Sequence, residues 1–162
     1  NKTSKITKLL KRVDWKDLSN GHSGRFHGDF HFENILWQKD KKKFVFLDWR
    51  QDFCGNLQVG DIYYDLAKLL HGMIVSHEMV QKNEFSIKWT DKKILYNFKR
   101  KKILKEVEGQ FRTWCIDRNY SFSKVRMLTA IIFLNIASLH HYPYSLFLYA
   151  LGKDMLNKEL NN

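Results

Sequence analysis

The most informative segment of this chain is Phe26-His27-Gly28-Asp29-Phe30-His31-Phe32-Glu33-Asn34-Ile35-Leu36. Six consecutive residues in it, 29–34, carry a carboxylate, an imidazole and a carboxamide, and apolar segments lie on both sides. Chemistry explains this choice of residues better than packing does. We therefore expect a loop whose polar side chains act on a substrate or a bound ion.

A second acid, Asp48, follows the strand-like residues 44–47. The polar residues 38–43 lie between the two segments and predict the turn of a short hairpin. Asp29 could accept a proton from a hydroxyl, whereas Asn34 and Asp48 offer the oxygen ligands that Mg²⁺ on nucleotide phosphates prefers. Asp48 also has a simpler interpretation, as a turn acid at the end of a strand.

Three segments in this order resemble the aminoglycoside phosphotransferase and choline kinase family. They are His27-Gly28-Asp29-Phe30-His31-Phe32-Glu33-Asn34-Ile35-Leu36, Phe46-Leu47-Asp48-Trp49 and Gly60-Asp61-Ile62-Tyr63-Tyr64-Asp65-Leu66-Ala67. The resemblance implies that Asp29 is the catalytic base and that Asn34 and Asp48 bind Mg²⁺, with ATP or GTP as co-substrate. It also implies that Asp61 and Asp65 open a helix that supports the loop.

Two positions depart from the pattern. Phe32 stands where the family often has Pro, and Arg50 follows Trp49 where protein kinases would have Gly. Neither change removes the base or a metal ligand. Arg50 could contact a substrate phosphate or acid, or pair with Asp52.

Four further polar residues near the loop allow two roles each. His27 and His31 could orient the loop through hydrogen bonds or contact the substrate. Asp61 and Asp65 are four residues apart on one helical face, a spacing that suggests a second metal or a helix that holds the loop through its backbone amides. We favour the supporting role for all four residues.

The predicted fold class is α+β and mainly helical, namely a protein-kinase-like C-terminal lobe with a short β-hairpin at about residues 35–48 and no extended sheet. Only 28 residues precede Asp29, and their pattern is that of helix and loop. They leave no room for the strand-rich lobe that binds nucleotide in kinases. Residues 1–162 are therefore expected to be one lobe, inactive alone, whose N-terminal nucleotide-binding lobe belongs to the same protein or to another chain.

The spacing of apolar residues predicts the remaining helices and strands. Residues 6–13 predict an amphipathic helix that Ser4 could cap, and a helix capped by Asp61 follows the motifs. Residues 85–90 are a short strand or an extended link, and residues 91–120 are predicted to be mostly helix. Two final helices, 123–139 and 144–160, are separated near Pro143.

Charge and composition limit the partners. With 28 basic and 17 acidic residues the chain carries +11, which suits a nucleotide or another anion, although solvated lysines alone would explain it. Lys99 to Lys102 and Lys105 suggest nucleic acid, but a solvated helix face is the preferred interpretation. No signal peptide is expected, and the apolar residues 127–139 are shorter than the ~20 residues of a membrane span. Two cysteines without metal-ligand spacing favour a reduced, cytoplasmic protein.

The expected function is transfer of a γ-phosphoryl group from a nucleoside triphosphate to a small-molecule hydroxyl. Choline-like, amino-sugar and sugar acceptors all fit the resemblance. The aromatic residues Trp89, Trp114, Tyr142 and Tyr144 could form a cage for a quaternary ammonium or belong to the core. Two alternatives stay open, namely a catalytically silent scaffold domain and, less favoured, a basic nucleic-acid-binding module.

Overall fold

The computed structural model describes residues 4–91 and 93–162, and about half of them are helical. Within these residues the strands form three separate two-stranded antiparallel sheets. The mixed α+β class and the lack of an extended sheet in the described part of the chain agree with the prediction. The hairpin predicted at residues 35–48 is present as β2 (Ile35–Gln38) and β3 (Lys43–Phe46).

The N-terminal segment differs from the single helix expected there. It forms two short helices, α1 (Ile6–Leu10) and α2 (Trp15–Ser19). Lys5, not Ser4, is at the start of α1, and no side chain caps it. A second helix begins because the Asp14 carboxylate accepts a hydrogen bond of 2.9 Å from the Asp17 amide.

A long helix, α3 (Ile62–Ile74), follows a short pairing of β1 (Ser23–Gly24) with β4 (Gly60–Asp61). As predicted, Asp61 caps α3, because its carboxylate accepts a hydrogen bond of 3.0 Å from the Tyr63 amide. The helix buries Leu66, Ala67 and Leu70 in the core. The short helix α4 (His77–Gln81) then follows Ser76, whose hydroxyl caps it by accepting a hydrogen bond from the Met79 amide.

Residues 93–98 form a strand, so the helix predicted from residue 91 is wrong over this segment. The strand β6 (Lys93–Phe98) pairs with β5 (Phe85–Thr90), and α5 (Lys102–Asp117) begins only afterwards. Burial alternates along β6, the period of a strand with one covered face. Its inward aromatic rings pack against Phe147. Lys92, which the predicted helix included, lies outside the described residues.

Basic residues at the junction of β6 and α5 form ion pairs within the fold. Lys99 lies 2.8 Å from Glu84, and Arg100 lies 2.7 Å from Glu108. Lys101 pairs with Glu78. These three basic residues therefore have acidic partners within the fold.

The last two helices, α6 (Phe122–Ala137) and α7 (Tyr144–Glu159), pack against each other as an antiparallel pair, and Pro143 precedes the second. Gly152 permits their close approach, since a Cβ there would lie 2.8 Å from the Ala130 carbonyl oxygen. Phe133, Phe147 and α3 complete the core. None of the helices in the described part of the chain combines the length and apolar character that crossing a bilayer requires.

Candidate active site

The backbone of the polar loop is held by one buried carboxylate on α3. Asp65 accepts hydrogen bonds of 2.6 Å from the His27 amide and 2.8 Å from the Gly28 amide. Burial raises the pKa of Asp65, and these two amide donors offset the effect only in part. Gly28 has a φ of +80°, and a Cβ there would lie 2.4 Å from Arg50 Cγ. The loop therefore turns where only glycine fits.

Asp29 follows this turn, and its side chain is 17% exposed. Lys68 Nζ lies 2.7 Å from Asp29 Oδ1. The second oxygen, Oδ2, lies 3.4 Å from His31 Nε2 and 4.0 Å from an Arg50 guanidinium nitrogen. Burial acts to raise the pKa of Asp29, but the hydrogen bond and charge of Lys68, with His31 and Arg50, outweigh it and lower the pKa. The carboxylate is therefore ionised near neutral pH.

Lys68 is the site residue that sequence reasoning missed. It is on α3, three residues after Asp65, and its side chain is 13% exposed. Helical residues three apart lie on the same face, so one face of α3 carries both Asp65 and Lys68. One feature of the sequence could have identified Lys68 as a site residue. It is a single lysine within the apolar segment Leu66-Ala67-Lys68-Leu69-Leu70.

The predicted metal ligands lie on either side of the open end of the hairpin, opposite its turn. Asn34 ends a short 3₁₀ helix, and its Nδ2 donates a hydrogen bond of 3.0 Å to the Asp29 carbonyl oxygen. The Leu47 amide donates to the Asn34 carbonyl oxygen at 2.9 Å, so Asp48 is one residue beyond the backbone partner of Asn34. Asp48 is exposed and has a φ of +58°.

This donor set fits Mg²⁺. The ion is commonly bound by one or two protein oxygen ligands, while phosphate oxygens and waters complete its coordination. Asn34, with its Nδ2 used in the loop, retains the carboxamide oxygen, and Asp48 supplies a carboxylate. In residues 4–91 and 93–162, no group of three or more His, Cys, Asp or Glu side chains is arranged to hold a metal ion.

The two loop histidines have different surroundings. His27 is 4% exposed, its ring packs 4.9 Å from that of Trp49, and its Nδ1 accepts a hydrogen bond of 3.3 Å from the Asp29 amide. His31 is half-buried, with Nδ1 2.8 Å from Glu33 Oε2 and Nε2 3.3 Å from Asn34 Nδ2. Burial acts to raise the pKa of Glu33, but the His31 hydrogen bond, a backbone hydrogen bond and the charges of His31 and His77 together outweigh it and lower the pKa. Both rings thus make contacts within the loop.

Asp61 and Arg50 lie at the edges of the site. Asp61 accepts a hydrogen bond of 2.9 Å from the His22 amide, which fixes the segment before the loop, while Asp65 contacts the loop itself. Arg50 donates its backbone amide to the His27 carbonyl oxygen at 2.9 Å, and its side chain is 65% exposed. The catalytic, metal-binding and supporting roles assigned to these residues from the sequence stay predictions.

An open apolar pocket of about 420 Å³ lies between α3 and α5, with the residue after Asp29 in its wall. Its lining consists of Phe30, Leu66, Leu69, Met73, Val107, Gln110, Phe111 and Trp114. Of the four aromatic residues considered for a cage, only Trp114 lines it. Trp89 is exposed on β5, and Tyr144 packs against Phe85 and Phe147.

The loop, the hairpin and the supporting helix α3 form one connected unit. The model of the family described as Phosphotransferase enzyme family, APH, matches residues 3–84, which make up half of the chain and contain this whole unit. The chain belongs to this family, and the resemblance to aminoglycoside phosphotransferases is confirmed. Phosphotransferase chemistry is the general activity of the family. Searches of curated proteins and of solved structures found no match.

Proposed function

We propose that residues 1–162 are the C-terminal lobe of a kinase-like phosphotransferase that moves the γ-phosphoryl group of ATP or GTP to a small-molecule hydroxyl. The observation that carries the proposal is the position of Asp29. Asp65 fixes the backbone of the two residues before Asp29, the Asp29 carboxylate is ionised, and Asn34 and Asp48 lie together at the open end of the adjacent hairpin.

The chemistry follows from the two oxygens of Asp29. Oδ1 is bound by Lys68, so Oδ2 accepts the proton of the acceptor hydroxyl. The acceptor oxygen forms a bond to the γ-phosphorus, the bond to the β,γ-bridging oxygen breaks, and the nucleoside diphosphate leaves with that electron pair. Asn34 and Asp48 would hold Mg²⁺, which when bound would neutralise the phosphate charge. Arg50, exposed beside Oδ2, is placed to contact a phosphate oxygen.

The exposed surface of the hairpin β2–β3 suits a nucleotide-binding lobe as its partner. The hairpin exposes large apolar side chains, with Leu36 49%, Trp37 50% and Phe44 60% exposed. Trp37 and Phe44 lie side by side on one face of the hairpin, with ring centroids 4.9 Å apart, and exposed apolar surface of this kind marks an interaction site. The two strands of this hairpin connect Asn34 to Asp48, so we propose that the second lobe packs against the hairpin and closes the nucleotide site from that side.

Binding of nucleotide with Mg²⁺ tests the proposed function in the intact protein. We expect ATP or GTP to raise the melting temperature more with Mg²⁺ than without it, because a ligand that binds only the folded state stabilises it. Asp48→Ala should remove the Mg²⁺-dependent part of the shift. Asp40→Ala, at the exposed turn of the same hairpin, is the matched control and should keep it. Equal shifts with and without Mg²⁺ in all three proteins would refute the metal assignment.

The apolar pocket beside Phe30 is the proposed acceptor site. Its lining residues are apolar or aromatic apart from Gln110, and none is acidic. An amino sugar with several positive charges needs acidic partners, so this lining favours an acceptor with apolar groups near its hydroxyl. Among the acceptors considered, a choline-like molecule fits this description best.

Trp114→Ala tests the pocket. Loss of apolar contact should raise the KM for the acceptor by about 10- to 100-fold, since one such contact contributes on the order of 1–3 kcal/mol. The KM for nucleotide should stay the same. Trp89→Ala removes an equally large ring on β5 that does not line the pocket, and it serves as the control. An acceptor KM unchanged in Trp114→Ala would place the acceptor elsewhere.

A further inference from the structure

We infer, on the basis of the proposed function, that Lys68 is a positioning residue that fixes the Asp29 carboxylate for the reaction. Lys68 Nζ lies 2.7 Å from Asp29 Oδ1, and both side chains are mostly buried, at 13% and 17% exposure. A charge-assisted hydrogen bond of this length restricts the orientation of the carboxylate. The contact joins residues 39 positions apart in the chain, from two different elements.

Because α3 is packed in the core, its contacts hold the loop in a fixed position. Asp65 binds the amides of His27 and Gly28, and Lys68, on the same helical face, binds the next side chain along the loop. Leu66, Ala67 and Leu70 anchor the helix in the core. One helix face therefore fixes the backbone of the loop and the rotamer of its carboxylate together.

The contact also selects which carboxylate oxygen reacts. Oδ1 is used by Lys68, whereas the nearest cationic or imidazole nitrogens to Oδ2 lie at 3.4 Å in His31 and 4.0 Å in Arg50. Oδ2 is thus the oxygen with an available lone pair for the acceptor hydroxyl. Without Lys68 the carboxylate can rotate, and either oxygen can turn towards His31 or Arg50.

Steady-state kinetics of the intact protein test this role. Lys68→Met should lower kcat by about 10- to 100-fold, the effect of a small misplacement of a reacting group. The KM for nucleotide should change by less than about 2-fold, because a group that acts only on the reaction step leaves ground-state binding intact. Lys68→Arg, which keeps the charge and a donor, should recover part of kcat. Lys82→Met is the control, since Lys82 forms an ion pair of the same 2.7 Å length with Glu78 on the surface.

A double-mutant cycle separates positioning from a merely structural role. If Lys68 acts through Asp29, then Lys68→Met should cost little further kcat in an Asp29→Asn background. Additive losses, or a Lys68→Met variant with unchanged kcat, would overturn the inference. Should Lys68→Met fail to melt cooperatively, Lys68→Gln replaces it with the same expectation. An inactive wild-type protein that shows no Mg²⁺-dependent nucleotide binding would instead count against the proposed function.

Discussion

Asp29→Asn in the intact protein is expected to lower turnover by about 10²- to 10⁴-fold, the range of general-base catalysis. Asparagine keeps the size of the side chain and an oxygen that can accept the Lys68 hydrogen bond. It cannot accept the proton of the acceptor hydroxyl. Because the change acts on the transition state, kcat should fall while the KM for nucleotide changes little.

The melting temperature of Asp29→Asn shows whether the variant still folds. The pair of Asp29 with Lys68 becomes a hydrogen bond to a neutral group, so the melting temperature should change by only a few degrees. The Mg²⁺-dependent nucleotide shift should persist, because Asn34 and Asp48 are unchanged. Full activity of Asp29→Asn would refute the assigned base whatever its stability.

The motif unit was predictable because its signals are local and ordered. The polar turn between residues 38 and 43 predicts the hairpin, and an acid before an apolar helical run predicts the cap at Asp61. Asp65 was expected to hold the loop through backbone amides, and it accepts hydrogen bonds from the amides of His27 and Gly28. Three short motifs in a fixed order were enough to indicate the family.

The Lys68 contact was not predictable in the same way. It joins a helix to a loop 39 residues earlier, and no periodic pattern connects the two positions. A lysine on the polar edge of an amphipathic helix is ordinarily solvated. Only the packing of α3 beneath the loop turns this ordinary position into an ion pair with the proposed base.

Two errors in the secondary structure have local physical causes. Ile94, Tyr96 and Phe98 alternate with exposed residues, which is a strand pattern, but the longer helical pattern after residue 101 was extended over them. At the N-terminus, the helical spacing of residues 6–13 concealed a second start signal. Asp14 caps its own helix there.

The second large effect is expected for Asp65→Asn. The variant removes a buried charge, which by itself would favour folding, yet it leaves one oxygen for two amide donors. Its NH₂ group then meets a backbone N–H with no acceptor between them. Hydrogen bonds to charged groups contribute roughly 1.5–3 kcal/mol, which corresponds to about 3–10 °C in melting temperature for a chain of this size. Thermal unfolding measures this loss directly.

Asp65→Asn should also lower kcat, because the loop that carries Asp29 loses its anchor, whereas Asp29→Asn should lower kcat with little change in stability. This contrast separates the supporting acid from the reacting one. Asp40→Asn, an exposed acid at the hairpin turn, controls for loss of charge and should change neither quantity. An unchanged melting temperature in Asp65→Asn would refute the supporting role, since a buried amide donor cannot lose its acceptor without a cost in stability.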